Sequence, residues 1–334
     1  MRIAQLLLSP RVGGAEALAD SLDAEWRALG HDPAIHYLDP PGTAGGRLAR
    51  LRRMRRLARD HEFDVVVAHS FLPALYSRAA FGGKVPVHYV LHSAGDDYAG
   101  AASQIVERAL LRRTASVIAV SDTQLQVYRS HFPQARLTTV IRNGVSGSIV
   151  PRTARAAEPA RVVTISRVAR QKRPDVWRRS VEEARHTMPS LAFEWWGPLS
   201  GDPGLDSAFE NLPPNAAFRG PTTDVASVLA TADIVLHTSE REAHSIALVE
   251  AAVSGAPIVY ADSVNSPELH PPFAQQFRID VDADATRILA KMLQDWDQVA
   301  DAAVANAPEL RRTSDATAVA RTYVEWFDSA RPAR

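Results

Sequence analysis

The chain has 334 residues, more than one compact domain ordinarily uses, and an apolar content of 46% that suffices for two cores. Lys+Arg and Asp+Glu each total 38, so net charge gives no sign of a nucleic-acid partner, although residues 1–150 carry 18 basic against 13 acidic side chains. Cysteine is absent, which excludes disulfides and thiolate metal sites and suits a reducing cytoplasm.

Met1-Arg-Ile-Ala-Gln-Leu-Leu-Leu-Ser9 has the outline of a secretory leader, but its apolar run is short and Arg11-Val-Gly-Gly14 interrupts it without a cleavage site. A first β-strand, Ile3–Leu8, explains it better. Further strands are predicted at Ala34–Leu38, Val65–Ala68, Val87–Leu91, Ser116–Val120 and Thr138–Ile141. Helices are predicted between them at Ala15–Leu29, Arg47–Arg59, Ala101–Arg113 and Thr123–His131. Asn143-Gly-Val-Ser-Gly-Ser148 and the Ala/Arg/Pro-rich stretch Pro151–Pro159 read as an interdomain linker. The alternation then restarts: strand Val162–Ser166, helix Asp175–Thr187, strand Ala192–Trp196, helix Thr223–Ala230, strand Ile234–His237, a helix carrying Glu250, and strand Pro257–Tyr260. A poorly patterned stretch runs to Ile279, followed by helices Ala283–Asp295 and Ser314–Ser329. Strands alternating with helices predict α/β architecture with parallel sheets covered on both faces. No apolar run is long enough to span a bilayer, so a cytoplasmic protein is expected.

Three motifs fall where a parallel sheet presents ligands. Gly13-Gly14-Ala15-Glu16 joins the first strand to the first helix, where it is either a plain tight turn or a loop whose N–H groups approach a ligand. It lacks the third glycine of the dinucleotide fingerprint. Ser166-Arg167-Val-Ala-Arg-Gln-Lys172-Arg173-Pro174 occupies the matching place in the second half, as a solvated basic turn or a cradle for a diphosphate. Only three lysines occur, Lys84, Lys172 and Lys291, so a lysine in that loop is pointed. Glu242-Ala-His-Ser-Ile-Ala-Leu-Val-Glu250 sets one carboxylate in a strand-end loop and a second about two turns into the following helix. By spacing alone two solvated glutamates on an amphipathic helix explain it as well.

Taken in order, these motifs resemble the retaining GT-B glycosyltransferases, most closely glycosyltransferase family 4 (glycosyl transferases group 1). Leu91-His92, Val120-Ser121, Asn143-Gly144-Val145 and Phe218-Arg219-Gly220 extend the likeness over nearly the whole chain. The resemblance implies two Rossmann-like domains facing across a cleft: an acceptor domain over 1–148, a nucleotide-sugar domain over 149–312, and a C-terminal helix over 313–334 packing back toward the first. It implies that Arg167 and Lys172 neutralise the leaving diphosphate, that Arg219 and Gly220 lie beside the base, and that Glu250 accepts from the ribose hydroxyls. Glu242 and backbone N–H groups near His244, Ser245 and Ile246 would meet the donor sugar. Gly13 and Gly14 would face the donor, and His92 would support developing oxocarbenium character. No metal and no cofactor are expected beyond a nucleotide-diphosphate sugar, UDP-linked in preference to GDP-mannose. The acceptor would be an envelope glycan, a lipid-linked saccharide or a secondary metabolite. A nucleotide-sugar epimerase of the same fold, or a binding module that has lost transfer, are the alternatives. The chain departs from the family pattern at Ser263-Val-Asn-Ser-Pro-Glu268 and Leu269-His-Pro-Pro-Phe273, where glycines are usual. His244 tunes the sugar pocket or is merely an exposed loop histidine.

Other features stand apart. Arg47–Arg59 holds seven arginines in thirteen positions, with Leu48, Leu51, Met54/Arg55 and Ala58 on one face. It is either a solvated helix on its own sheet or a peripheral contact with anionic membrane. Asp280-Val-Asp282-Ala-Asp284 lacks the glycine and distal Glu of a calcium loop, so Asp282 or Asp284 is expected to cap a helix. Asp96-Asp97 reads as a solvated loop pair, with contact to an acceptor hydroxyl as the alternative. No Gly-x-Ser-x-Gly elbow supports a serine hydrolase.

Overall fold

A computed structural model of the chain describes residues 1–10, 13–43, 45–93, 97–135 and 137–330. The chain divides into two compact units, Met1–Gly144 with Ala316–Arg334, and Val145–Asp315. It passes between them at Gly144/Val145 and again at Asp315/Ala316.

The first unit runs β1 (Arg2–Leu7), α1 (Gly14–Ala28), β2 (Asp32–Tyr37), α2 (Arg47–Asp60), β3 (Val65–His69), α3 (Phe71–Phe81), β4 (Val87–Leu91), α4 (Ala101–Leu110), β5 (Ser116–Ala119), α5 (Asp122–His131) and β6 (Thr138–Val140). Its six strands are parallel in the order β2-β1-β3-β4-β5-β6. β3, β4 and β5 are buried at every position, the mark of a sheet covered on both faces. α3 is not among the helices that the sequence predicts. Its residues are apolar or buried almost all round, so no polar stripe marks its period. Pro73 is tolerated because it sits in the first turn, where N–H groups have no helical partner.

The second unit runs β7 (Arg161–Ile165), α6 (Pro174–Thr187), β8 (Ala192–Trp196), α7 (Pro203–Asp206), β9 (Ala216–Gly220), α8 (Val225–Ala230), β10 (Ile234–His237), α9 (Ile246–Ser254), β11 (Ile258–Ala261), β12 (Ala274–Phe277), α10 (Asp284–Gln294) and α11 (Trp296–Thr313). The parallel order is β12-β11-β10-β7-β8-β9. The edge strands β9 and β12 were not predicted, since Ala-Ala-Phe-Arg-Gly and Ala-Gln-Gln-Phe carry no apolar run. α11 was missed as well, with Pro308 inside it. The core is apolar and aromatic, with Trp177 and Trp195 packed edge to face at 5.7 Å.

The stretch 151–159, expected as a linker, belongs to this unit. Arg152 donates to the carbonyls of Ser254, Leu229 and Ala232, and the Trp296 indole N–H donates to Ala156 O. Asp284 does not cap α10 as expected. Ala283, at φ 60°, precedes the helix, and Asp284 is its first residue, accepting from Arg278 N and pairing with Arg287.

The last helix, α12 (Ala316–Ser329), returns to the first unit. The Trp26 indole on α1 donates to Ala320 O at 3.0 Å and packs on Tyr323 and Phe327, while Trp326 Nε1 donates to Ser116 Oγ at 2.8 Å. Gly144 permits this approach, because a Cβ there would lie 2.8 Å from Ala316 Cα.

Candidate functional site

In the second unit β7 is flanked by β10 and β8, and the connections from β7 and β10 leave toward opposite edges of the sheet. Such a switch point opens a crevice beyond the carboxyl ends of the two strands, where ligands of doubly wound sheets bind. Strand register therefore brings the loop after β7 (166–173) against the loop after β10 (238–245). The two are tied together: Thr238 Oγ1 donates to Lys172 O at 2.8 Å, and Glu240 N–H donates to Gln171 O at 2.8 Å. The first loop also leans on β8, with Trp195 Nε1–H donating to Ser166 O at 2.7 Å. Gly197 makes that possible. Its φ is +151°, and a Cβ would stand 2.0 Å from Ser166 O.

Three charged or titratable groups meet at this edge. Lys172 Nζ donates to Glu242 Oε1 in a short ion pair, and His237 Nε2, at the end of β10, lies 3.2 Å from the same oxygen. A carboxylate can only accept, so His237 carries its proton on Nε2. Burial alone would raise the Glu242 carboxyl, but the His237 hydrogen bond and the Lys172 charge outweigh it and bring it down to about 2. His237 itself is pushed down by burial against the pull of Glu242. His237 was not foreseen; a histidine closing an apolar strand reads as core. Arg167 is exposed and has no ion-pair partner among the described residues. Arg173, at φ 48°, is committed to Asp175 and Glu240.

α9 begins at Ile246, so Glu250 is its fifth residue, a little over one turn in and not two as expected. The reason is local: the chain bends at residues 240, 243 and 244 before the helix starts. Ser245 is the extended residue before the helix, but its hydroxyl caps no amide and sits 3.5 Å from His237 Nε2. The first-turn N–H groups of α9 are thus left without a side-chain cap at the switch point. Leu248, Val249, Ala251 and Ala252 bury the other face of the helix. Burial raises the Glu250 carboxyl to about 7.

His244 is buried, which excludes an exposed loop histidine, and its Nε2 lies 3.4 Å from Glu268 Oε1. Glu268 comes from the stretch that departs from the family pattern, and only the fold shows that it returns to this loop. Arg219 is half exposed and bound to Glu194 on the adjacent strand at 2.7 Å, in a network with Arg161 and Trp196. Gly220 O accepts from Gly197 N–H at 2.8 Å.

In the first unit the switch point lies between β1 and β3. Gly13 precedes α1 in extended conformation and Gly14 opens it, with nothing within 4 Å of where a Gly14 Cβ would stand. His92 follows β4 and its Nε2 lies 3.0 Å from Nδ1 of His69, the last residue of β3. His69 Nε2 is 3.1 Å from Gln5 Oε1, and Gln5 Nε2–H donates to Ala19 O at 2.9 Å. Burial lowers His92 to about 4. Asp97 is exposed, and Asp96 lies outside the described residues.

On α2, Met54 is buried and Leu51, Leu57 and Ala58 are partly so, whereas Leu48 is 68% exposed. Leu48 therefore leaves the predicted packing face, and Leu57 joins it. Arg50 and Arg53 turn to Asp39, while Arg47, Arg52, Arg55 and Arg56 are exposed without ion-pair partners among the described residues. Among the described residues no helix is long and apolar enough to cross a membrane, and no three His, Asp or Glu side chains are grouped to hold a metal ion.

Two family models match the chain: one described as Glycosyltransferase Family 4 over residues 12–147, the other as Glycosyl transferases group 1 over residues 159–295. No curated protein matches. Among solved structures, Alr3699/HepE of Anabaena in complex with UDP-glucose superposes with a TM-score of 0.84 at 19% identity, covering 98% of this chain and 100% of that one. Sucrose-phosphate synthase of Thermosynechococcus elongatus follows at 0.79 and 16%, with 98% of both chains covered. A glycosyltransferase of Rickettsia africae gives 0.79 at 14%, again with 98% of each.

Proposed function

Since the chain belongs to the GT-B glycosyltransferases of family 4 and group 1, we propose that it transfers a sugar, with retention of anomeric configuration, from a UDP-sugar to an acceptor hydroxyl without a metal. The observation that carries this reading is the Lys172–Glu242–His237 cluster beside the uncapped start of α9, at the switch point of the second sheet. Breaking the anomeric C–O bond moves negative charge onto phosphate. Lys172, Arg167 and the α9 amides are the groups able to receive it. Lys172 is paired with Glu242. When the donor binds, the lysine turns to phosphate, and His237 retains Glu242 for the sugar hydroxyls. Glu250, a turn further along α9, accepts from the ribose. Arg219 and Gly220 border the base, and Gly13, Gly14 and His92 are the first unit's candidate sugar-facing groups.

HepE bound to UDP-glucose supports a UDP donor by likeness of fold. The acceptor is an envelope glycan or lipid-linked saccharide, reached at the inner membrane face through the exposed arginines of α2, and the protein works in the cytoplasm. A panel of UDP- and GDP-sugars, followed by nucleotide release with and without acceptor, tests the reading. Acceptor-dependent UDP release is expected. An isomerised donor would mean an epimerase, and tight binding without turnover a module that has lost transfer.

A further inference from the structure

Gln5, His69 and His92 form a file of hydrogen bonds whose direction is set at one end. The Ala19 carbonyl can only accept, so the Gln5 amide nitrogen faces it and the amide oxygen faces His69. The flipped amide would oppose two acceptors inside the protein, since Gln5 and His69 are almost wholly buried. His69 must therefore carry its proton on Nε2 and leave Nδ1 bare. A bare Nδ1 accepts, so at 3.0 Å the His92 Nε2 carries a proton and donates. His92 is left with its lone pair on Nδ1. The two rings are inclined at 27° with centroids 5.2 Å apart, so rotation of one disturbs the other.

We propose that Gln5 and His69 are positioning residues that lock His92 as the Nε2–H tautomer and present its Nδ1, at the carboxyl edge of the first unit's sheet, as a hydrogen-bond acceptor for a sugar hydroxyl. The inference rests on the reading of His92 as a sugar contact and adds what that contact is: a neutral acceptor. For His69 neutrality follows from the same geometry, because a second proton would sit on its Nδ1 and face the His92 Nε2–H; on His92 a second proton would sit on Nδ1, the atom that must stay bare to accept. Burial agrees, holding His69 far below its usual range and His92 near 4. Gln5 lies on β1 beside β3, which ends in His69, so the strand pair at the first unit's switch point supplies the file.

Nitrogen-15 NMR of the ligand-free protein, with histidine rings labelled, tests the tautomer directly. His92 should show a protonated Nε2 and a bare Nδ1. Gln5→Met should remove that preference and give mixed tautomers at both rings, while Gln5→Glu, which keeps an oxygen opposite His69 Nε2, should restore it. With UDP-glucose as probe donor, Gln5→Met should lower kcat for UDP release by about tenfold to a hundredfold and leave the Kd for UDP unchanged. A His92 protonated on Nδ1, or Gln5→Met with wild-type ring signals and wild-type kcat, would overturn the proposal. His92→Ala with undiminished turnover would instead remove the sugar contact itself, whatever the tautomer proved to be.

Discussion

Lys172 and Glu250 are expected to fail differently when altered. Lys172 neutralises charge that develops as the sugar leaves, so Lys172→Ala should depress kcat by roughly 100- to 1,000-fold and weaken UDP binding far less. Steady-state kinetics beside UDP calorimetry separates the two; equal losses in both would assign Lys172 to ground-state binding. Glu250 sits at about 7 because burial opposes its charge. With a folded-state value above the unfolded value of about 4.5, its protonated form stabilises the fold. That contribution is complete below about 4.5 and is lost as pH rises through 7. Glu250→Gln should therefore be more stable than the parent at pH 8, by up to about 3 kcal/mol, and no different at pH 4.5. The same variant should lose most of its affinity for UDP, and the parent's affinity should climb between pH 6 and 8 as the carboxyl ionises. Thermal melts at the two pH values and titrations with UDP would show it. A pH-independent stability difference would place the carboxyl elsewhere.

At the scale of the element, the candidate site is two loops held by the strands beneath them. Gly197 is the pivot, since its backbone conformation and the 2.0 Å gap to Ser166 both forbid a side chain. Gly197→Ala should cost about 3 kcal/mol or more and abolish UDP binding, read from urea midpoints and calorimetry; a variant of parental stability would mean that the loop yields easily. α2 carries the other element-scale expectation. Its exposed arginines and Leu48 face solvent, and a basic face with an apolar residue in it adsorbs to anionic lipid in a salt-dependent way. Phosphatidylglycerol vesicles should pellet the protein at low salt and release it at high salt, and Arg52→Glu with Arg55→Glu should abolish pelleting. Equal pelleting with neutral vesicles would exclude the idea.

For the whole molecule, the consequential fact is that the C-terminal helix completes the N-terminal unit. Trp26 is fully buried and its neighbours are Tyr323 and Phe327. Ending the chain at Asp315 should destabilise the first unit by at least the cost of a large core truncation, about 3–5 kcal/mol, and leave the second unit intact. Hydrogen exchange would show protection lost over β1 to β6 and kept over β7 to β12; uniform loss would mean that the units unfold as one.

Much of this was legible in the order of residues. Apolar runs alternating with amphipathic segments dictate parallel sheets, because buried strands need apolar side chains on both faces and crossover helices need one apolar stripe. The pairing of a basic loop with a glutamate pair marked the second switch point, since both follow strands that the same periodicity reveals. What stayed hidden was whatever depends on neighbours distant in sequence. α3 has no polar stripe, β9 and β12 lie at sheet edges, and His237, Glu268, Gln5 and His69 look like ordinary core or loop residues until the sheet sets them beside Glu242, His244 and His92. Composition and periodicity determined the class of fold and the strand ends where chemistry collects. Only the tertiary structure decided which side chains hold those groups in place, because strand order and register are set by packing between segments 60 to 70 residues apart, as in Gln5 with His69 and Lys172 with Glu242.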